Sequence, residues 1–424
     1  MKTNWDLTVF YKDFDDPEFK NDLARLPKEI DAFTAAIAAP AEDEVRKLVS
    51  LVHQEEALSC LFERLSMMIE LNFAVDANNK PANAAMAPLM RAVMGSSLAS
   101  NAFSRYLASL ENLDAIIDAD DELKARAFAL REAAEDAKHQ LPEALEKPVL
   151  KMQLSGGEAF SQLRDKLDAT LLVDYDGKQI PLSAVRALAY DGDADTRRRA
   201  YEAELASYKK IELPMSFCLN NLKAEGETMA ALKGYKGVLD MALAHSRMDE
   251  KTLEAMWTAI REALPELREY FKAKGRLLGH ENGLPFYDLF APVGQSTRTY
   301  TVEEARALLL DLFGKFCPEM GEMMRTAFDE GWIDMYPREG KSGGAFCSGY
   351  YAKNISRVIT NFAGSASDVS TLAHELGHAF NNRMLHHKPI MMTETPMPLA
   401  ETASTFNETL LISQLLKTAT PEEE

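Results

Sequence analysis

Apolar residues recur at spacings of three and four along most of this 424-residue chain. That period places them on one face of an α-helix and commits the chain to a mainly helical fold. The segment "DEVRKLVSLVHQEEALSCLFERLSMMIELNFAV" (43–75) shows it, with Val45, Leu48, Val49 and Val52 in register. The following "NAAMAPLMRAVMGSSLASNAFSRYLASLENL" is rich in Ala, Leu and Met, which are good helix formers. Segments 119–139, 183–209, 217–232, 250–278 and 302–329 read the same way, with Ser183 and Thr301 as expected caps. Two stretches break the period. "TLLVDYDGKQIPL" (170–182) alternates around Asp176-Gly177, a hairpin signal, and "SGGAFCSGYYAKNISRVITNFAG" (342–364) has the composition of short strands.

A chain this long exceeds what one hydrophobic core usually supports. The periodicity is weakest near 111–118 and 140–160. The expected division is a helical domain over 1–115 and a second helical domain over 116–424 that carries the candidate site. The formal net charge of −19 argues against nucleic-acid partners, which need a basic face, and against docking on anionic membranes. Cys60, Cys218, Cys317 and Cys347 are widely spaced and form no C-x-x-C pair, which suits a reducing compartment. The first twenty residues carry charges throughout, so no signal peptide is expected, and no apolar run is long enough to span a bilayer. A cytoplasmic location is the expectation.

Several motifs carry little. Gly340-Lys341-Ser342 ends like a phosphate-binding loop, but Met335 stands where its first glycine belongs. Asp191, Asp193, Asp195 and Glu202 have the spacing of a calcium loop, but Thr196 replaces the required Gly and a helix N-cap accounts for them better. His386 and His387 are adjacent, so on a helix they point in different directions and mark a solvated helix end.

"TLAHELGHAF" (371–380) is different, because it contains H-E-x-x-H. On a helix His374 and His378 lie four apart on one face and can approach one metal ion together. Glu375 sits about 100° round, close enough to act as a general base without being a ligand. Gly377 leaves room beside the metal, Ser367 or Asp368 can cap the helix, and Val369, Leu372, Ala373, Leu376, Ala379 and Phe380 form its apolar flank. Zinc needs a third protein ligand. Met384 and Asn381 stand where the metzincin pattern requires His and Gly, which excludes that class. A following glutamate is the other common solution, and Glu394, Glu401 and Glu408 are the candidates. Glu394 lies in a Pro-bounded loop, whereas "PLAETASTFNETLLISQLLK" reads as a helix starting after Pro398. That placement favours Glu401 as ligand, with Glu408 two turns on to orient a histidine.

"GKSGGAFCSGYYAKN", "TLAHELGHAFNN" and "MPLAETASTFNE" together resemble the thimet-oligopeptidase-like zinc metallopeptidases, in their oligoendopeptidase F branch. "NWDLTVFY", "LKGYKGVLDMAL" and "GLPFYDLFAPV" resemble it more weakly. The resemblance implies a multi-helix fold of two lobes around a channel that admits short peptides, with a small β element next to the H-E-x-x-H helix. It implies one zinc ion per chain held by His374, His378 and Glu401, with Glu375 as general base. It puts Gly343, Gly344, Ala345 and Phe346 in a strand beside bound peptide. It also implies a His and tyrosines beyond the glutamate helix. None follows Glu408, so a chain lacking the family's C-terminal part is the expectation. The reaction expected is hydrolysis of internal bonds in short peptides. An exopeptidase on the same scaffold, or an incomplete fragment that only binds peptides, are the alternatives.

Overall fold

A computed structural model of the chain describes residues 1–293, 299–338 and 340–420. Helices dominate, as the apolar period requires; among the described residues the strands lie in the two stretches that break it, apart from a two-residue strand at Ile333–Asp334. β1 (Leu172–Tyr175) and β2 (Lys178–Pro181) form an antiparallel hairpin turning at Asp176-Gly177, both in the left-handed region. β3 (Ile333–Asp334), β4 (Phe346–Tyr350) and β5 (Ile355–Ile359) form a second sheet in the order β3-β5-β4. β5 pairs parallel to β3 and antiparallel to β4, so β4 is an edge strand.

The expected boundary at 115/116 falls inside a helix, Leu113–Asp118. The chain divides instead into two compact units, one of Met1–Gln140 with Arg298–Thr418 and one of Leu141–Thr297 with Ala419–Glu424. The first unit is discontinuous because its N-terminal segment is stitched to sequence more than three hundred residues away. The Lys2 amide donates to the Phe328 carbonyl and the Met335 amide to Thr3. The buried Arg357 guanidinium of β5 donates to the Asp6 carbonyl through Nε and Nη2. Phe10 packs edge-on against Tyr350 of β4 at 4.9 Å.

Two cores fill this unit. One lies among the helices Pro17–Ala38, Glu44–Val75 and Lys80–Ser109, centred on Leu26, Leu48, Leu65 and Leu89. The other joins Leu309, Phe313, Met324 and Phe328 to Val358 of β5 and to Val369, Leu372 and Leu376 of the helix Ala366–Leu385. The expected helix over 302–329 is two, Val302–Phe316 and Pro318–Asp329, because Pro318 starts a new helix after Cys317. Thr301 caps the first through a capping box with Glu304, as expected. Lys341, from the apparent phosphate loop, is fully buried, paired with Asp334 and donating to the Tyr336 and Thr360 carbonyls.

The second unit carries the hairpin and a smaller core around Val173, Val185 and Ala200. Its helix Leu182–Ala187 starts after Pro181, and the side chain of Ser183 lies outside the described residues. Asp193 caps the helix Ala194–Tyr208 by accepting from the Thr196 amide, which confirms the cap reading of the acidic cluster. Arg197 from that helix is buried against Asp288 at 2.8 Å, and Asp288 also bonds His280. Taking away the carboxylate strands a buried guanidinium. Asp288→Ala is therefore expected to destabilise this unit by about 3–5 kcal/mol, read as a lower urea midpoint in circular dichroism.

Candidate metal centre

The helix Ala366–Leu385 presents His374 and His378 one turn apart. Its cap is Ser365, not Ser367 or Asp368. Ser365 accepts from the Asp368 amide while Asp368 accepts from the Ser365 amide, so Asp368 completes the capping box three residues in. The expected apolar flank is buried against the second core, with Phe380 at its margin. On the other side Asn382 donates to Ser356 of β5 at 3.3 Å and ties the helix to the sheet.

The third group arrives from the helix Thr402–Thr418, which packs along the first. The expected single helix after Pro398 is interrupted: a turn at Met397–Ala400 precedes it, and Glu401 stands at the junction. The Glu401 carbonyl accepts the Thr405 amide, so Glu401 is the half-in residue that opens the helix. Its Oε2 lies 3.2 Å from His374 Nε2 and 3.3 Å from His378 Nε2, and the two Nε2 atoms are 3.3 Å apart. A tetrahedral ion about 2.0–2.1 Å from each donor holds its ligand atoms roughly 3.3–3.4 Å from one another. Three electron-pair donors at this separation fit a metal ion, and this is the one such His/Cys/Asp/Glu group among the described residues.

Electrostatics fit the same ion. His374 Nδ1 donates to Glu408 Oε1, which fixes the tautomer and leaves Nε2 as the bare donor. Glu408 thus stands where the helical spacing from Glu401 placed it. Burial holds the pKa of His378 below the usual imidazole value, against the pull of Glu401, so the ring is neutral and free to ligate. The Ser404 hydroxyl, ahead of the two histidines, keeps Glu401 below the usual carboxylate range. Glu375 is almost wholly buried, and its Oε2 has no hydrogen-bond partner among the described residues. Burial pushes its pKa up to about 7, opposed by His374 and assisted by the Glu401 charge. A carboxyl poised near neutrality can both take and return a proton.

Gly377 has a different task from the one its spacing suggested. A Cβ there would meet the Ala403 carbonyl oxygen at 2.7 Å and Ser404 Cα at 2.8 Å. Its missing side chain makes room for the second helix, and the ion has no part in that contact. Asn407, which the sequence reading passed over, is fully buried and donates to the Ala373 carbonyl at 3.0 Å, pinning the two helices together. A polar stripe at 401, 404, 407 and 408 on a helix with an apolar partner was the available signal.

The strand expected in "SGGAF" starts only at Phe346. Gly343, Gly344 and Ala345 form a bend before it, with Gly344 at φ +77°. Asn361 holds that bend by donating to the Ser342 and Gly344 carbonyls. Cys347 of β4 is close enough to Glu375 for that carboxylate, after burial, to raise its thiol pKa further. His386 ends the helix Ala366–Leu385 beside Tyr351, and neither it nor His387 belongs to the donor group.

With this geometry the sequence comparisons are decisive. The profile of peptidase family M3 matches residues 187–424, more than half of the chain, and that of Oligopeptidase F matches 108–172. The chain belongs to peptidase family M3. It is 23% identical to an oligoendopeptidase F homolog of Lactococcus lactis subsp. lactis over 442 aligned residues, covering 100% of this chain and 71% of the relative. It is 27% identical to an oligopeptidase of Bacillus subtilis over 313 residues, covering 72% of this chain and 46% of that one. The fold is similar to that of oligoendopeptidase F from Enterococcus faecium, with a TM-score of 0.61 at 18% identity over 95% of this chain and 68% of the other. No helix among the described residues is long and apolar enough to cross a membrane.

Two substitutions test this architecture. Gly377→Ala forces backbone apart and is expected to cost about 1–3 kcal/mol and to weaken metal binding, read by thermal melting and zinc titration. Glu408→Ala frees the His374 ring and is expected to lower zinc affinity about 10–100-fold with the metal-free melting temperature little changed.

Proposed function

We propose that the chain is a zinc-dependent oligoendopeptidase that hydrolyses internal bonds of short peptides. The observation that carries this reading is the set of three donor atoms 3.2–3.3 Å apart, two of them histidine nitrogens on the helix that also holds Glu375, whose buried Oε2 has no hydrogen-bond partner among the described residues. Membership of a peptidase family, and relatives named oligoendopeptidase and oligopeptidase, support it.

His374, His378 and Glu401 would hold the zinc ion. When bound, zinc polarises the scissile carbonyl and brings a water's pKa down toward ~7. Glu375 removes a proton from the attacking water as its oxygen bonds to the carbonyl carbon. The same carboxylic acid then delivers that proton to the amide nitrogen as the C–N bond breaks, leaving a carboxylic acid, which keeps the water's second proton until it passes to the amine, and a free amine. Glu408 keeps the His374 ring turned to the ion throughout. The free edge of β4, from Phe346, offers backbone groups to an extended peptide, and the bend at Gly343, Gly344 and Ala345 lies at the end of that edge.

The test is mass-spectrometric mapping of cuts in a pool of short peptides, with the zinc-loaded chain and a Glu375→Gln control. Internal cuts are expected from the parent, with rates falling at least about 100-fold in the control while zinc stays stoichiometric. Cuts confined to peptide ends would instead make the chain an exopeptidase. No cuts despite stoichiometric zinc would make it a peptide-binding part of a longer enzyme. Glu401→Ala is expected to lose zinc affinity, and undiminished affinity would remove Glu401 from the ligand set.

A further inference from the structure

We infer that Ser404 is a positioning residue for the metal centre: its hydroxyl fixes Glu401 as a one-oxygen donor aimed between the two histidines. The inference rests on the zinc reading of the site and adds the element that gives the third ligand its geometry.

Glu401 is poorly placed to hold itself still. Its side chain is 53% exposed and it stands at a junction between two helical segments. Apart from the two histidines, Ser404 is the side chain that bonds its carboxylate among the described residues. The Ser404 Oγ donates to Oε2 at 2.7 Å, and Oε2 is also the oxygen that faces both Nε2 atoms. The same hydroxyl lies 2.9 Å from the Glu401 carbonyl, so it can be shared between side chain and backbone of one residue. A charged acceptor takes the stronger share.

Ser404 itself cannot move. It is fully buried, and its Cα sits against Gly377 at a distance that no Cβ there would permit. The glycine of H-E-L-G-H therefore seats Ser404, Ser404 seats one oxygen of Glu401, and that oxygen completes the triangle with the histidines. With Oε2 occupied on one side by a hydroxyl proton, its remaining lone pair is left for the space it shares with the two Nε2 atoms. Without that proton nothing distinguishes the two carboxylate oxygens, and both can turn to the metal.

The experiment is titration of the metal-free chain with Co(II), followed by its d–d absorption, for the parent, Ser404→Ala and Glu401→Ala. The parent is expected to give the intense visible bands of a four-coordinate ion. Ser404→Ala is expected to bind about 10–100-fold more weakly, with weaker, shifted bands as the carboxylate becomes bidentate. Its metal-free melting temperature should match the parent's, because the change removes one oxygen and leaves the packing. Equal affinity and an unchanged spectrum in Ser404→Ala, beside a parent that binds, would overturn this inference and leave the zinc reading standing. Failure of the parent to bind Co(II) or Zn(II) would overturn the zinc reading and this inference with it. Should Ser404→Ala melt early without metal, Ser404→Thr, which keeps the hydroxyl, separates the causes. Parental spectrum in that variant supports positioning, and a lost spectrum assigns Ser404 to packing.

Discussion

The candidate metal centre depends on how closely the helix Thr402–Thr418 can approach the helix Ala366–Leu385. At Gly377 the two backbones come within a distance that any side chain would forbid. That approach alone brings Glu401 Oε2 to the histidine nitrogens and Glu408 to the far side of the His374 ring. Since Glu401 and Glu408 are seven residues apart, about two helical turns, a single packing contact delivers both the third donor atom and the carboxylate bonded to the His374 ring. Asn407 spans the same seam and satisfies a carbonyl of the partner helix. Close packing of this kind is expensive to disturb, because backbone cannot give as a flexible side chain can.

Around that seam the unit is built to keep its two halves from drifting. The N-terminal segment is hydrogen-bonded to Phe328, to Gly331 in the turn before β3 and to Met335 just after it, and Arg357 reaches from β5 to the Asp6 carbonyl. Burial lowers the pKa of Arg357 to about 10, so it remains charged at neutral pH and keeps both bonds. β5, held on both sides, then carries Ser356 to Asn382 on the helix Ala366–Leu385. The histidines are thus tied through one sheet to residues more than three hundred positions earlier. A site whose supports are locked by packing and hydrogen bonds holds its geometry better than one on loops.

The electrostatic pattern separates the roles of the carboxylates by environment. Glu375 is buried, its Oε2 has no hydrogen-bond partner among the described residues and its pKa lies near neutrality, while Glu401 is half exposed, hydroxyl-bonded and held below the usual carboxylate range. One can exchange a proton and the other can only donate electron pairs. Two carboxylates on different helices, with their proton affinities pushed apart, fit the proposed division between a proton carrier and an electron-pair donor.

By itself the sequence determined the helical class, the hairpin at Asp176-Gly177, the shared face of His374 and His378, and the two-turn spacing of Glu401 and Glu408. Each follows from periods of two or 3.6 residues, which neighbours within one or two turns enforce. The tertiary structure alone decided that residues up to 140 join 298–418, that Gly377 faces Ser404, that Asn407 is a helix clamp, and that the strand near Gly343 begins at Phe346. Those depend on contacts between segments tens to hundreds of residues apart. Local periodicity holds no record of such contacts; they arise only when separate apolar faces bury one another.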